Sequence, residues 1–546
     1  MKKSDFIKQA SLAKQLMFVA IMALTFQSCI KDNFDTKKIA EIKYNPKFAV
    51  PLVYSSLSMS DILNLKNAND SLQTGSDGSL TLIYTDNIIS QDASSISAFN
   101  IPNQSQVVTI STTTISGVIS NGNSVTTSHT QTITVTSSSQ LSSVILKGGT
   151  LDLSFSSGIK SNVDIVISIP GATKSGVAFS QTVTLNYTGT TPVTASPSFD
   201  LTGYDFDLSQ GGTTYNQFDV NYTVKVYGPA TITGTEQFSI GVAMDSLAYS
   251  KIVGNIGQHI ITGKTDTIAV TIFNHSIGAA SFQFLNPKVK LIAYNSFGVP
   301  IDAQLTQLSG DNLTGTSNIL QSSSTPFPIA IASPNLSQAG QTLMASDSLT
   351  TTNSNIVSVF NQTPKNIIYT LSAQTTTVSA SQTDFVLDTS KFRLNLEVEL
   401  PLNGTNFKFA MVDTEAFSIS STITDNLSSG LLRISNTNGF PIDVNMQVYF
   451  VDSLFNKLDS LLTSEQPLIA SGIINSAGVV TTPTITNTDI TIDSARLKKL
   501  VSTKQVLIYA KVNTVNSGAT PVKIYSNYTL EVKLGLQIQV NAHFKP

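Results

Sequence analysis

The sequence predicts an all-β protein built of tandem antiparallel β-sandwich modules. Three observations lead there. Ser and Thr make up about a quarter of the 546 residues, and the 28 Asp outnumber the 7 Glu fourfold; strand and turn formers thus stand where a helical protein carries Glu, Lys and Ala. Apolar–polar alternation of period two recurs along the chain between Gly/Asn/Ser clusters such as Gly75-Ser76-Asp77-Gly78 and Asn121-Gly122-Asn123. Three blocks of sequence also recur in the same order about 140 positions apart, as a duplicated module would. At roughly 100–200 residues per domain, the length holds two to four domains.

The elements follow in chain order. Lys2, Lys3, Lys8 and Lys14 precede the apolar run Leu16 to Phe26. Its length suits a signal peptide and falls short of the roughly 20 residues of a membrane span. Phe26-Gln27-Ser28-Cys29 follows, holding the only cysteine of the chain, and resembles the lipobox of bacterial lipoproteins. The resemblance implies that residues 1–28 are removed and that Cys29 is acylated and becomes the mature N-terminus. Removal takes away four Lys and one Asp, so the net charge goes from −3 to −3 − (+3) = −6. The expected membrane partner is therefore gripped by several acyl chains on Cys29, not by attraction to anionic headgroups. Ile30-Lys31-Asp32-Asn33 resembles, with Asn33 in place of a second acid, the surface-export signal of Bacteroidetes lipoproteins. That implies an outer-membrane lipoprotein on the cell surface rather than the periplasmic face. The lipobox opposes a competing reading as a transmembrane β-barrel. Residues 29–47 read as a polar tether.

Residues 48–100 read as a small N-terminal element. Tyr44-Asn-Pro46-Lys-Phe48-Ala-Val50-Pro51-Leu52-Val53 suggests an extended entry strand and Asp61-Ile62-Leu63 a helical turn. This stretch resembles the opening of Bacteroidetes surface lipoproteins, a resemblance that implies no activity. Residues 101–240 form a Ser/Thr-rich sandwich, with strands expected at 131–135, 163–169, 182–186 and 220–226.

Residues 241–405 and 406–546 are expected to be sandwich repeats 1 and 2, the first with a strand at 267–273. Asn295-Ser-Phe-Gly298-Val-Pro300-Ile301-Asp302 answers Asn436-Thr-Asn-Gly439-Phe-Pro441-Ile442-Asp443. Asn366-Ile-Ile-Tyr369 answers Val506-Leu-Ile-Tyr509, and the run from Ser390 to Val398 answers that from Ser526 to Leu534. One short helix is expected in each repeat: Ile356, Val359 and Phe360 after Ser354, and Leu497, Leu500 and Val501 after Asp493 or Ser494. In the Asn-x-x-Gly-x-Pro-Ile-Asp block, Asn and Gly suit positive φ in a tight turn, and Pro suits re-entry into an edge strand. The block resembles the strand–turn–strand of immunoglobulin-like sandwiches in bacterial envelope proteins, which implies immunoglobulin-like modules. A degenerate third copy is sought at Asn186-Tyr-Thr-Gly189-Thr-Thr-Pro192-Val193.

No residue pattern carries chemistry. The near-neutral to acidic charge excludes a basic stripe for nucleic acid, and one cysteine excludes disulfides within the chain and Cys-based zinc sites. His129, His259, His275 and His543 lack metal spacing. Neither a Gly-x-Ser-x-Gly elbow nor a phosphate loop is present, Gly171-Ala-Thr-Lys174-Ser175-Gly176 lacking the Gly-Lys-Ser/Thr order. Asp205 and Asp207 could share a strand face as a calcium site might, against a solvated face. Tyr204, Tyr215 and Tyr222 form the one tyrosine cluster to watch for sugar stacking. Asp-Ser/Thr followed by an apolar residue recurs and resembles the O-glycosylation acceptor of Bacteroidetes envelope proteins. The implied acceptors are Ser71, Ser246, Thr267, Ser348, Ser453, Ser460 and Ser494; the plain alternative is a turn or cap pair. The expectation is a lipid-anchored envelope protein without catalytic residues, cofactor or metal, serving structure, adhesion or interaction with a protein or glycan. A glycan- or nutrient-binding lipoprotein beside an outer-membrane transporter is the first alternative, and a hydrolase joining Asp to His259 or His275 is the second.

Overall fold

The computed structural model describes residues 42–44, 46–63, 70–96, 101–270, 281–312, 317–322, 327–376, 383–418, 427–540 and 542–544. They are predominantly β-strand, arranged in several sheets. Among the described residues the α-helices are Met59–Leu63, Ile356–Phe360 and Ser494–Val501, and no helix is long and apolar enough to cross a membrane.

The first body is an 11-stranded sheet that folds back on itself. Its spine is the antiparallel pair Gln140–Ser157 and Phe238–Asn255. The short strand Asp205–Asp207 pairs with Gln140–Ser157 on one side and Val163–Lys174 on the other, so it joins the two halves into a part-barrel. Alternation explains the inner face: Val163, Ile165, Ile167 and Ile169 are fully buried, while Asp164, Val166 and Ser168 between them are only half-buried. Phe155, Phe179, Phe218 and Tyr222 fill the interior. The expected boundary at 240/241 falls inside the strand Phe238–Asn255, and Asp384–Leu387 pairs back onto that strand at Lys251–Gly254.

Two further bodies share one strand order. In the first, Leu343–Leu349, Lys288–Asn295, Lys391–Pro401 and Leu80–Asp92 are neighbours; its second sheet runs Ile260–Ala269, Pro364–Thr375, Ile301–Asn312, with Phe327–Ile331 beyond. The other body runs Thr484–Asp493, Leu427–Asn438, Leu530–Val540, Lys47–Leu57, and Asn403–Ala416, Gln505–Thr514, Ile442–Val451, with Gln466–Ile469 beyond. The fourth strand of one sheet in each body thus comes from residues 47–92. Within the expected element 48–100, the strands Lys47–Leu57 and Leu80–Asp92 thus belong to these two sheets. They cover the edges that Lys391–Pro401 and Leu530–Val540 would otherwise leave unpaired. Ile42–Tyr44 also pairs with Ala542–Phe544.

The geometry corrects the sequence alignment in two places. Asn295 is fully buried; its Nδ2 donates to Val299 O (3.0 Å) and Ala332 O (3.2 Å), and its Oδ1 accepts from Phe297 N (2.9 Å). The same three bonds are made by Asn438, to Ile442 O (2.8 Å), Ala470 O (2.9 Å) and Phe440 N (2.9 Å). Asn438, not Asn436, is therefore the counterpart, and the first turn is two residues longer. Likewise, Ile301 pairs with Thr375 and Ile442 with Thr514, so Tyr369 corresponds to Ile508 and not to Tyr509. The one-residue slip changes the face: Tyr369 is fully buried and Tyr509 is 42% exposed.

Gly298 and Gly439 do not have positive φ. Gly298 is needed for close approach, because it bonds backbone to backbone with Phe385 and a Cβ there would run into the Phe385 ring. Asn186 lies exposed in a loop and lacks the clamp, so the third copy does not share this turn. The helix Ile356–Phe360 takes Asn355, not Ser354, as N-cap residue, and Ser494–Val501 takes Asp493, whose carboxylate accepts from Arg496 N (2.8 Å).

Candidate functional site

The joint between the first body and the strand Ile260–Ala269 gathers serine, histidine and aspartate. The chain leaves Asn255 through Ile256-Gly257-Gln258-His259, with Gly257 at φ 77°. Ser139 Oγ donates to Ile256 O (2.9 Å); His259 Nε2 lies 2.7 Å from that oxygen and 3.3 Å from Ser139 Oγ. Asp384 Oδ2 accepts from Ile256 N (3.0 Å). A carbonyl only accepts, so Nε2 must carry its proton to reach it, and Ser139 spends its own proton there too. Such a histidine cannot take a proton from the serine, which a nucleophile–base pair requires. The cluster clamps a linker. Asp384 is fully buried, its Oδ1 has no hydrogen-bond partner among the described residues, and burial pushes its carboxyl up to about 6 against the pull of the Ile256 bond.

The other sequence candidates are dispersed. Asp205 accepts from Ser143 Oγ (2.7 Å). Asp207 is partly desolvated, yet Ser209 Oγ and the amides of Ser209 and Gly211 hold its carboxyl below the usual range. With both carboxylates committed to protein donors, and no cluster of three His, Cys, Asp or Glu among the described residues, the pair is not arranged as a calcium cage. Tyr222 is buried, and desolvation raises its hydroxyl pKa well above the ordinary value; Tyr204 packs edge-on against Phe179 (5.6 Å between centroids), and Tyr215 is exposed. The three tyrosines do not form a platform.

Of the implied acceptors, Ser71, Ser246, Thr267, Ser453 and Ser494 are exposed, while Ser348 and Ser460 are half-buried. Thr267 and Ser348 sit on the outermost strands Ile260–Ala269 and Leu343–Leu349, and Ser494 opens a helix. Cys29 and His275 lie outside the described residues.

Sequence reasoning missed a polar cleft of about 210 Å³, lined by Tyr294, Ser296, Gly340, Thr342, Leu387, Thr389, Ser390, Lys391 and Arg393. Local bonds fix its walls. Ser296 Oγ accepts from Lys391 N (2.8 Å) and donates to Lys391 O (3.1 Å); Ser390 Oγ accepts from Leu387 N (3.1 Å) and donates to Ser296 O (3.0 Å). The wall leading to Gly340 starts from a full capping box between Asn335 and Gln338. On the sheet face Met344, Tyr294 and Arg393 are successive cross-strand partners. The chain has three arginines. Arg433 pairs with Asp489 (2.6 Å) and Arg496 with Asp459 (2.8 Å), whereas Arg393 has no acid within ion-pair reach among the described residues. Lys391 Nζ lies 3.2 Å from Asp92 Oδ1. Arginine scarcity was the signal in the sequence that could have drawn attention to Arg393.

No protein-family model matches the chain, and no curated protein is significantly similar to it. Among solved structures, a Parabacteroides distasonis protein described as secreted aligns at TM-score 0.31 and 13% identity, covering 53% of this chain and 89% of that one. A structure of infectious bursal disease virus, Gt strain, aligns at TM-score 0.15 and 7% identity over 78% and 76% of the two chains. The CBM22 tandem of Paenibacillus barcinonensis Xyn10C aligns at 0.13 and 10% over 51% and 93%. At these scores none assigns a fold family or a function to this chain.

Proposed function

We propose that the protein is a lipid-anchored envelope protein exposed on the cell surface, with a non-enzymatic structural, adhesive or interaction role. The observation that carries it is Cys29, the single cysteine, placed at the end of an apolar leader in a lipobox-like sequence. The two bodies of shared strand order are then two copies of one immunoglobulin-like sandwich, a reading supported by the matching clamps of Asn295 and Asn438. The acyl chains hold the membrane, and the exposed Asp-Ser/Thr positions carry O-linked sugars on outer strands, turns and a helix start. Neither catalysis nor a cofactor enters this reading; at the Ser139–His259 contact both protons go to a backbone carbonyl.

The test is antibody labelling of two epitopes, one in 101–240 and one in 406–546, on intact and permeabilised cells, with Cys29→Ala beside the native chain. Label on intact cells that leaves the membrane fraction in the variant supports the reading; label only after permeabilisation overturns the surface assignment. Intact mass of the mature chain, with peptide mapping at the seven acceptors, checks glycosylation, and an unmodified mass rejects it. A second reading, a glycan- or nutrient-binding lipoprotein acting beside a transporter, is favoured by the Tyr294–Arg393 cleft.

A further inference from the structure

We infer that the cleft between Tyr294, Thr342, Thr389 and Arg393 binds a small hydroxylated carboxylate, of the kind presented by a uronic acid. The inference deepens the binding reading and is independent of the lipid anchor. Its starting point is the set of polar groups that the protein itself leaves unused. Ser296 and Ser390 spend their hydroxyls on the walls. The Arg393 guanidinium and the hydroxyls of Tyr294, Thr342 and Thr389 make no hydrogen bond within the described residues, and all four line one cleft. In a net acidic chain, an unpaired arginine on a formed concave surface is a place prepared for an anion.

The charge count selects the anion. Arg393 is unpaired, but Asp92 already offsets Lys391. The cleft therefore offers about one net positive charge, which suits a monoanion better than a phosphate dianion. A guanidinium fork matches the two coplanar oxygens of a carboxylate in a bidentate pair. The neighbouring groups select the rest of the ligand. Tyr294, directly opposite Arg393 in register, and Met344 beside it (65% exposed) give an apolar strip against which the C–H face of a sugar ring can lie. Thr342 and Thr389 supply hydroxyls for ring hydroxyls. A volume of about 210 Å³ lies below the roughly 300 Å³ at which drug-sized pockets begin, so the cleft suits one ring rather than a chain buried end to end. The ring arrives either as a free acid or as the terminal unit of a glycan, with the same chemistry.

The test is calorimetric titration of the full mature chain with D-glucuronate, D-galacturonate, an oligogalacturonate, D-glucose and inorganic phosphate. At least one uronate is expected to bind saturably below about 10 mM, at least tenfold tighter than glucose or phosphate, and more weakly as salt rises. Arg393→Gln should weaken uronate binding about tenfold or more and remove its advantage over glucose, and Tyr294→Ala should weaken it about fivefold. Arg393 is exposed, so its variant should melt with the native protein, which separates lost binding from lost folding. Comparable affinity for monomer and oligomer points to a glycan terminus, and binding of the monomer alone points to a free acid; both support the carboxylate. No saturable uronate binding, equal affinity for glucose, stronger binding of phosphate, or an Arg393→Gln variant that binds like the native chain overturns the proposal. Loss of surface labelling with uronate binding intact would reject the surface reading alone.

Discussion

Asn438→Ala tests whether the buried asparagine clamps the turn between Leu427–Asn438 and Ile442–Val451. Asn438 is 1% exposed and serves three backbone groups. Two of its bonds, to Ile442 O and from Phe440 N, are fully buried; the third, to Ala470 O, is partly buried. Truncation leaves one buried acceptor and one buried donor unpaired, at roughly 1–3 kcal/mol each, while water can reach Ala470 O. The expected loss is about 3–4 kcal/mol, a large share of the roughly 5–15 kcal/mol that holds a folded domain. Asn295 has the same pattern of two buried bonds and one partly buried bond, so Asn295→Ala should lose about as much. Asn438→Asp should be worse than alanine at neutral pH, because it keeps the acceptor for Phe440 N but faces two carbonyls with a carboxylate. Asn186→Ala, on an exposed loop, should fall within about 0.5 kcal/mol of the native chain. Urea unfolding gives the free energies, and hydrogen exchange at Phe440 N reads the bond directly. A loss below about 1 kcal/mol, or unchanged protection at Phe440 N, would refute the clamp.

The remaining predictions concern other joints. Asp384 has a pKa of about 6 when folded against about 3.9 unfolded, so between these values the folded state holds the extra proton and stability falls as pH rises. The difference bounds the effect at about 3 kcal/mol, and solvent screening brings it to about 1–2. Asp384→Asn should raise the melting temperature at pH 7.5 and flatten the profile between pH 4 and 6; an unchanged profile counts against a desolvated carboxyl. Tyr369→Phe removes the hydroxyl that donates to Asp86 Oδ2 (2.7 Å) and should cost about 1–2 kcal/mol in urea unfolding. Gly298→Ala should destabilise by roughly 1–3 kcal/mol, because the new methyl overlaps Phe385, and adding Phe385→Leu should recover part of the loss in the same assay.

The strands were legible wherever one face is buried and the other is not. Val163 to Ile169 alternates because its even neighbours meet solvent or polar partners, and the observed strand Val163–Lys174 contains it. The strand order that the two bodies share was legible in the recurring blocks, but not the register. Ile-Tyr looks alike at 368–369 and 508–509, yet only pairing with the neighbouring strand tells which residue faces inward. Gly298 was misread because a glycine in a turn suggests positive φ, whereas its reason is the ring of Phe385, distant in sequence. The cleft was hidden for the same reason. Its groups come from Tyr294, Thr342 and residues 387–393, whose meeting depends on three strands and loops that no local pattern joins.

The pairing of residues 47–92 changes what the anchor would hold. The first long strand described after Cys29, Lys47–Leu57, does not begin the first body; it completes the sheet of the last one. The next long strand, Leu80–Asp92, completes the middle body, and the middle body meets the first through Asp384–Leu387. In the lipid-anchored reading, the tether therefore joins the C-terminal body, with the middle body following it and the Ser/Thr-rich body farthest from the tether along this chain of pairings. An epitope in 406–546 reports the tethered end, where bilayer and neighbouring sugars hinder an antibody most. The epitope in 101–240 is the more sensitive test of exposure, and weak labelling of 406–546 beside strong labelling of 101–240 is the pattern this order requires.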